Sequence, residues 1–217
     1  MSTIGIIGGT GPAGRGLAVR LAHAGHEVIV GSRDADRAQD VAARLDPRGA
    51  GTIRGATNDV AAAAGDVVVI ATPWESAVAT ARALRGALAG RTVVSMVNAL
   101  SREGRELVPY AAPRGSMAAQ LAATLPDSAV VGAFHHLPAA LMEDLDSGLD
   151  ADVVVVGDDD GAVALVATMI DEVAGLRAVV AGSLALAGAV EAFTAVCISV
   201  NIRHRVHSYV RLAGMSR

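Results

Sequence analysis

The chain has 217 residues, 52% hydrophobic and 18% charged, with a formal net charge of −4. That length and apolar content provide one full-sized core with a smaller appendage and exclude disorder, while the weak negative charge gives no field to gather nucleic acid or an anionic membrane. All 18 basic residues are arginine and the one cysteine, Cys197, sits in an apolar run, which excludes lysine chemistry, disulfides and thiolate metal sites.

Strand-like runs alternate with helical patterns from the first residues. The runs cover 4–8, 28–31, 52–55, 66–72, 91–97 and 129–134, and the helix candidates between them cover 13–24, 35–45, 58–64, 75–84 and 116–124. The strands are continuously apolar rather than alternating, as expected of a parallel sheet covered on both faces. Six such strands linked by helices predict an α/β fold, a Rossmann-like doubly wound parallel sheet. The N-terminus enters its strand with no basic region or cleavage site, and the longest apolar runs are broken by Gly, Pro or charge. A soluble, cytoplasmic protein without nucleic-acid or membrane partners is therefore expected.

After "HHLPAALMEDLDSGLD" the rhythm changes. A strand at 152–157, a capped helix within 157–173, a strand at 176–181 and a long helix over 183–212 predict a small C-terminal α/β domain. The boundary is placed near Asp146, giving a dinucleotide-binding domain at 1–146 and a second domain at 147–217 that completes a substrate cleft.

Between the first strand and helix stands Gly9-Thr10-Gly11-Pro12-Ala13-Gly14, a G-x-G-x-x-G. The first glycine suits a tight turn, the second lets the backbone approach a pyrophosphate, and the third lets helix and strand pack closely. The helix N-terminus then offers free amides to phosphates. Where an NAD-binding sheet ends its second strand on an acid for the ribose hydroxyls, this chain has "GSRD". Ser32 can donate to a 2′-phosphate, Arg33 can grip it as a fork, and Arg37 adds a second cation one turn on. Asp34, the acid nearby, falls where a helix N-cap is needed. The reading is NADP, against the alternative that both arginines are ordinary solvated charges.

Two further stretches lie at carboxyl strand ends, where open α/β sheets put ligands. "ATPWESA" brings Thr72 and the only tryptophan, Trp74, which either covers the nicotinamide side of a cleft or packs between helices. "GAFHHLP" brings Phe134, His135, His136 and Leu137, of whose histidines at most one faces the cleft. No Cys/His cluster suits a metal, and no residue stands out as a certain catalytic group.

"GGTGPAGRGLAVRLAHAGHEVIVGSRD", "ATPWESA" and "FHHLPAA", with "VVVVGDDD" opening the second unit, resemble the NADPH-dependent coenzyme F420 reductases over nearly the whole chain. The resemblance implies reversible hydride transfer between NADP(H) and the deazaflavin coenzyme F420 as co-substrate. It implies NADP contacts at Thr10 to Ala13, Ser32, Arg33, Arg37, Thr72, Ser76, Asn98 and Ala139, and a homo-oligomer with the deazaflavin in a cleft between domains. Hydride transfer between two bound rings needs the reacting carbons about 3–3.5 Å apart rather than a nucleophile, which a lysine-free, metal-free chain can provide. Alternatives are an NADPH-dependent imine or ketone reductase, with Tyr110, His135 or Tyr209 as proton donor, and a non-enzymatic NADP-sensing module.

Two surface expectations complete the reading. Phe193, Val196, Ile198, Val200, Ile202, Val206 and Val210 give the last helix more apolar surface than a small domain covers, which predicts a homodimer. An apolar slot of Trp74, Phe134, His135 and Leu137 is expected to hold the deazaflavin. Arg203, Arg205 and Arg211 of the same helix are candidates to meet its anionic tail, against the alternative of a solvated basic helix end.

Overall fold

The computed structural model describes residues 1–104 and 106–215. β1 (Thr3–Ile7), β2 (Glu27–Ser32), β3 (Thr52–Thr57), β4 (Val67–Ile70), β5 (Thr92–Ser95) and β8 (Ala129–Gly132) correspond to the six expected strands. They stand in the order β8-β5-β4-β1-β2-β3, every neighbouring pair parallel. The four residues of β4, Val-Val-Val-Ile, are all buried, and burying each such side chain contributes about 1.5–3 kcal/mol. That is why the run is unbroken by polar residues.

Helices α1 (Pro12–His23), α2 (Ala35–Ala42), α3 (Asn58–Ala64), α4 (Trp74–Ala83) and α6 (Met117–Thr124) fill the crossovers, with a short α5 (Arg85–Leu88) after α4. Their starts follow from local chemistry. Pro12 occupies the first turn of α1, where no amide is missed. The Asp34 carboxylate accepts from Arg37 N at 3.1 Å and the Ser116 hydroxyl from Ala119 N at 2.9 Å; each such cap is worth about 1 kcal/mol. The alanine-rich α3 lies unusually close to the sheet. A Cβ on Gly5 would stand 2.0 Å from the Ala61 carbonyl oxygen, so this seat requires glycine in the strand beneath it.

A hairpin unforeseen in the sequence, β6 (Leu100–Glu103) with β7 (Glu106–Pro109), leaves the carboxyl end of β5 as a separate two-stranded sheet. A five-residue helix, α7 (Ala139–Glu143), follows β8 and lies against α1. A Cβ on Gly16 would be 2.6 Å from Met142 Cβ and 3.0 Å from the Ala139 carbonyl oxygen. Buried Arg20 reaches across from α1, donating to the carbonyls of Met142 at 3.1 Å and Leu141 at 2.8 Å and to Ser147 Oγ at 2.8 Å. Burial pulls its pKa below the usual arginine value, with Asp144 opposing.

β9 (Ala151–Gly157), α8 (Asp160–Asp171) and β10 (Leu176–Gly182) follow, with Asp159 capping α8 through Ala162 N at 2.7 Å. These strands do not form a sheet of their own. β9 pairs antiparallel with β8 and β10 parallel with β9, which extends the main sheet to eight strands. The expected boundary near Asp146 falls in the loop between α7 and β9, and the sheet continues across it.

α9 (Ala187–His204) is shorter than the 183–212 expected. It ends because Arg205 adopts a left-handed conformation, φ +55°, which stops an α-helix. The chain then folds back along β9: Asp152 N donates to the Val210 carbonyl and Leu212 N to Asp152 Oδ2 at 2.5 Å. Buried Asp152 also pairs with Arg177 at 2.6 Å, whose guanidinium beside it holds the carboxyl below the usual range. Val206, Val210 and Arg211 therefore belong to this returning segment and not to the helix.

Candidate functional site

The glycine-rich turn stands at the carboxyl end of β1, where β2, β3 and β4 converge on it. Gly8 is left-handed, φ +73°, and a Cβ there would lie 2.7 Å from Thr72 Cγ2, so Thr72 touches the turn directly. Gly9 N donates to the carbonyls of Ile6 at 3.1 Å and Gly31 at 2.9 Å, which ties the turn to β2. The three motif glycines separate into distinct roles. A Cβ on Gly14 would be 2.6 Å from Gly9 Cα, whereas one on Gly11 would meet only the Gly8 carbonyl oxygen at 3.7 Å. Gly14 and Gly9 are needed for packing, and Gly11 borders open space at the helix N-terminus. Among the described residues, the amides of Thr10 and Ala13 have no acceptor, so two donors stand ready for an anion. The Thr72 hydroxyl is likewise buried without a partner.

At the end of β2 the Ser32 hydroxyl is buried and accepts from Asp34 N at 3.2 Å. Arg33 and Arg37 are exposed, and among the described residues their side chains make no hydrogen bond or ion pair. Asp34, the nearest acid in sequence, is spent on the α2 cap. Gly9 to Ala13, Ser32, Arg33, Arg37 and Thr72 thus lie around the adjoining ends of β1, β2 and β4.

The other half of the sheet's carboxyl edge is more closed. Phe134 takes a left-handed conformation, φ +65°, at 2% exposure; for a non-glycine residue this costs on the order of 1–3 kcal/mol. It turns the chain sharply after β8 and drives its own ring into the core. His135 and His136 are both buried at 4% exposure. Burial lowers the His135 pKa to about 3, with neighbouring His136 adding to the push and the Val97 backbone opposing it. Burial lowers His136 to about 4 against the opposing Asp152 charge. Both rings are therefore neutral at physiological pH, and neither can serve as a protonated donor there.

Asn98, expected at the cofactor, uses its side chain as a tie. Its Nδ2 donates to the His135 carbonyl at 2.8 Å, and its Oδ1 accepts from Thr194 Oγ1 of α9 at 3.3 Å. Ser76 Oγ donates to the Pro73 carbonyl at 3.1 Å, a contact within the first turn of α4. Trp74 donates through Nε1 to the Leu100 carbonyl at 3.2 Å and stacks on Tyr110, centroids 4.6 Å apart at 28°. These contacts hold the hairpin to α4 and leave Trp74 half-buried. Leu137 is half-buried and packs against the main core cluster, and Ala139 opens α7 beside α1. Arg211 is paired with Asp150, far in character from the free helical cation expected.

Sequence reasoning missed Asn58, whose Oδ1 accepts from Gly8 N at 3.0 Å, and Arg20. The signal for Arg20 was a lone charge inside the apolar stretch "LAVRLA"; for Asn58 only the fold brings the partners together. Among the described residues, no group of three His, Cys, Asp or Glu side chains could hold a metal ion.

The family profile described as "NADP oxidoreductase coenzyme F420-dependent" matches residues 3–99. The chain is 36% identical to the F420-dependent NADP reductase of Methanocaldococcus jannaschii over 93% of both chains. It is 34% identical to that of Methanothermobacter thermautotrophicus over 94% of this chain and 91% of the relative. A crystal structure from Arthrobacter sp. FB24, named as a candidate F420-dependent NADP reductase, superposes with a TM-score of 0.84 at 27% identity, covering 98% of this chain and all of that one. An imine reductase from Bacillus cereus superposes at 0.61 with 16% identity, covering 94% of this chain and 62% of its own, a likeness of fold alone. Fold, turn and relatives define the class: an NADP-dependent oxidoreductase on a doubly wound sheet. The chain belongs to the F420-dependent NADP reductase family.

Proposed function

We propose that this protein transfers a hydride between NADP(H) and coenzyme F420. The observation that carries the NADP half is the pairing of an open, amide-bearing turn at Gly11 with Arg33 and Arg37, whose side chains have no partner among the described residues. The turn receives the pyrophosphate and the α1 N-terminus faces its charge. Ser32 and the two arginines receive the 2′-phosphate. Thr72, its hydroxyl otherwise unpaired, meets the cofactor beside the turn. NADPH supplies the hydride and the deazaflavin accepts it, or the reverse.

The protein's work at the second half is positioning. Neutral, buried His135 and His136 and the left-handed Phe134 brace the loop that carries Leu137, and the Asn98–Thr194 tie fixes that loop to α9. We place the deazaflavin ring against the half-buried Leu137 and Trp74, with Phe134 and His135 supporting from behind. Arg203, exposed on the last turn of α9, remains a candidate for the anionic tail; Arg211, committed to Asp150, contributes only by leaving that pair.

We further read the protein as a homodimer. The stretch Leu184–His204 is long and apolar enough to cross a membrane and is only 28% buried in its most apolar part, with Phe193, Val196 and Ile202 48%, 52% and 62% exposed. Glu191 and Thr194 on its other side are buried against α6 and the His135 loop, so the helix is seated on the fold and its outer face suits a second copy. A chain whose single cysteine, Cys197, is buried uses no intrachain disulfide, which suits the cytoplasm.

The decisive assay incubates the enzyme with NADPH and oxidised coenzyme F420 and follows the deazaflavin absorbance. Loss of that absorbance at a rate proportional to enzyme is expected. NADPH binding with no change in it would overturn the activity.

A further inference from the structure

We propose that Asn58 is a positioning residue for NADP(H), acting through the Gly8 amide. The proposal rests on the NADP(H) reading above and adds a residue that touches no phosphate itself. Asn58 begins α3 directly after β3, yet its Oδ1 accepts from Gly8 N, 3.0 Å away at the end of β1. The side chain reaches that amide by passing Gly31 of β2. A Cβ on Gly31 would lie 2.8 Å from Asn58 Oδ1 and 2.9 Å from the Ile6 carbonyl oxygen, so glycine at that position keeps the path clear.

Gly8 is the hinge at which β1 becomes the turn. Its left-handed backbone directs Gly9 N to the Ile6 and Gly31 carbonyls and leaves the Gly8 carbonyl to accept from Gly11 N at 3.3 Å. With the Gly8 amide committed to Asn58, one arrangement of the turn is selected, in which the amides of Thr10 and Ala13 have no acceptor among the described residues. Remove the acceptor and a half-buried donor is left unsatisfied. The turn can then rotate to find another partner, and the phosphate-receiving amides rotate with it. Preorganisation of the donors is what Asn58 contributes, and its loss falls on cofactor affinity rather than on chemistry.

Three properties separate this role from plain structural support. The turn serves the pyrophosphate common to NADPH and NADH, so Asn58→Ala lowers affinity for both and preserves the preference between them, unlike Arg33→Ala. The hydride step and the deazaflavin site are untouched, so kcat at saturating NADPH and the deazaflavin KM are unchanged. Asn58→Asp keeps an acceptor of the same reach but sets a negative charge near the pyrophosphate, so its deficit grows as ionic strength falls.

The experiment measures NADPH and NADH binding by nicotinamide fluorescence, steady-state kinetics, and thermal melting, for wild type, Asn58→Ala, Asn58→Asp and Arg33→Ala. Asn58→Ala is expected to raise the NADPH Kd and KM about five- to thirty-fold. Asn58→Asp is expected to melt with the wild type and to regain affinity at high salt. Unchanged NADPH affinity in the folded Asn58 variants overturns the proposal, as does a lowered melting temperature with normal binding below it. Should Asn58→Ala not fold, Asn58→Ser, whose shorter side chain cannot reach the Gly8 amide, decides in its place: NADPH affinity equal to the wild type overturns the proposal. A wild type that binds no NADPH overturns the NADP(H) reading itself, and this inference with it.

Discussion

Substituting two glycines of one motif separates cofactor binding from packing. At Gly11 the backbone is extended, φ −75° and ψ 164°, a region β-branched residues occupy readily. An added Cβ would make only an ordinary contact at 3.7 Å. Gly11→Val should therefore fold and lose at most a few tenths of a kcal/mol to about 1 kcal/mol, the cost of an unfavourable N-cap residue. Its methyl groups would stand in the space at the α1 N-terminus through which the pyrophosphate must approach, so NADPH binding should fall below detection. At Gly14 the position is reversed. A Cβ 2.6 Å from Gly9 Cα and 2.9 Å from the Gly9 carbonyl oxygen must push α1 from the turn by most of an ångström, an overpacking cost of about 1–3 kcal/mol. Gly14→Ala should thus lower the melting temperature. Paired melting curves and NADPH fluorescence titrations read both effects. A folded Gly11→Val protein that binds NADPH like the wild type would refute the reasoning, because the turn would then be structural only.

Arg33→Ala should raise the NADPH KM about ten- to a hundred-fold through the lost charge-assisted contact, with NADH use and melting temperature unchanged; equal use of both cofactors by the wild type would sink the assignment. Phe193→Asp should give a monomer in sedimentation, whereas a monomeric wild type would leave the outer face of α9 without its dimer role. Acid should destabilise the fold through its histidines. His135 and His136 have folded pKa values near 3 and 4 against 6.5 when unfolded, and burial lowers His26 in the same direction despite Glu172. The unfolded chain therefore binds more protons between those values, so the full stability is present above about pH 6.5 and is lost as pH falls towards 4. A melting temperature flat across that window would contradict their burial.

The sheet was legible because its cause is local and repeated: unbroken runs such as Val67–Ile70 can only be buried on both faces. The Asp34 cap and the capped start of α8 were legible for the same reason, each resting on a contact three residues long, though only the structure picks Asp159 from its acidic run. The hairpin was not, since Leu100–Glu103 and Glu106–Pro109 are four residues each and carry charge, and Trp74 and Tyr110, which hold it, are far apart in the chain. The end of α9 was misjudged because Arg205 halts it in a conformation usually left to glycine. Phe134 reads as a slot wall by its position after β8, but its left-handed backbone turns the ring inward, which no pattern of apolar residues announces. Asn98 was expected at the cofactor from the resemblance and Arg211 at the tail from its place in the basic last stretch; their partners His135, Thr194 and Asp150 appear only in three dimensions.

The antiparallel seam between β8 and β9 has a consequence for how the molecule opens. Only two residue pairs join these strands, Val131 with Gly157 and Gly132 with Val156, whereas the other neighbouring strands of the sheet share four to six. What spans the seam instead is side-chain packing, with Val153, Val155, Val163 and Val166 in one cluster with Ile4, Val94 and Val131. The segment from Ala151 to Gly182 is therefore glued on by apolar contact rather than laced on by its backbone, and it is the unit expected to detach first in sub-global unfolding. Such glue slackens on cooling, since apolar burial is then less favourable. Native-state hydrogen exchange at Gly132 and Val156 should quicken relative to β1 and β4 as temperature falls, so this segment would part from the rest of the sheet more readily in the cold.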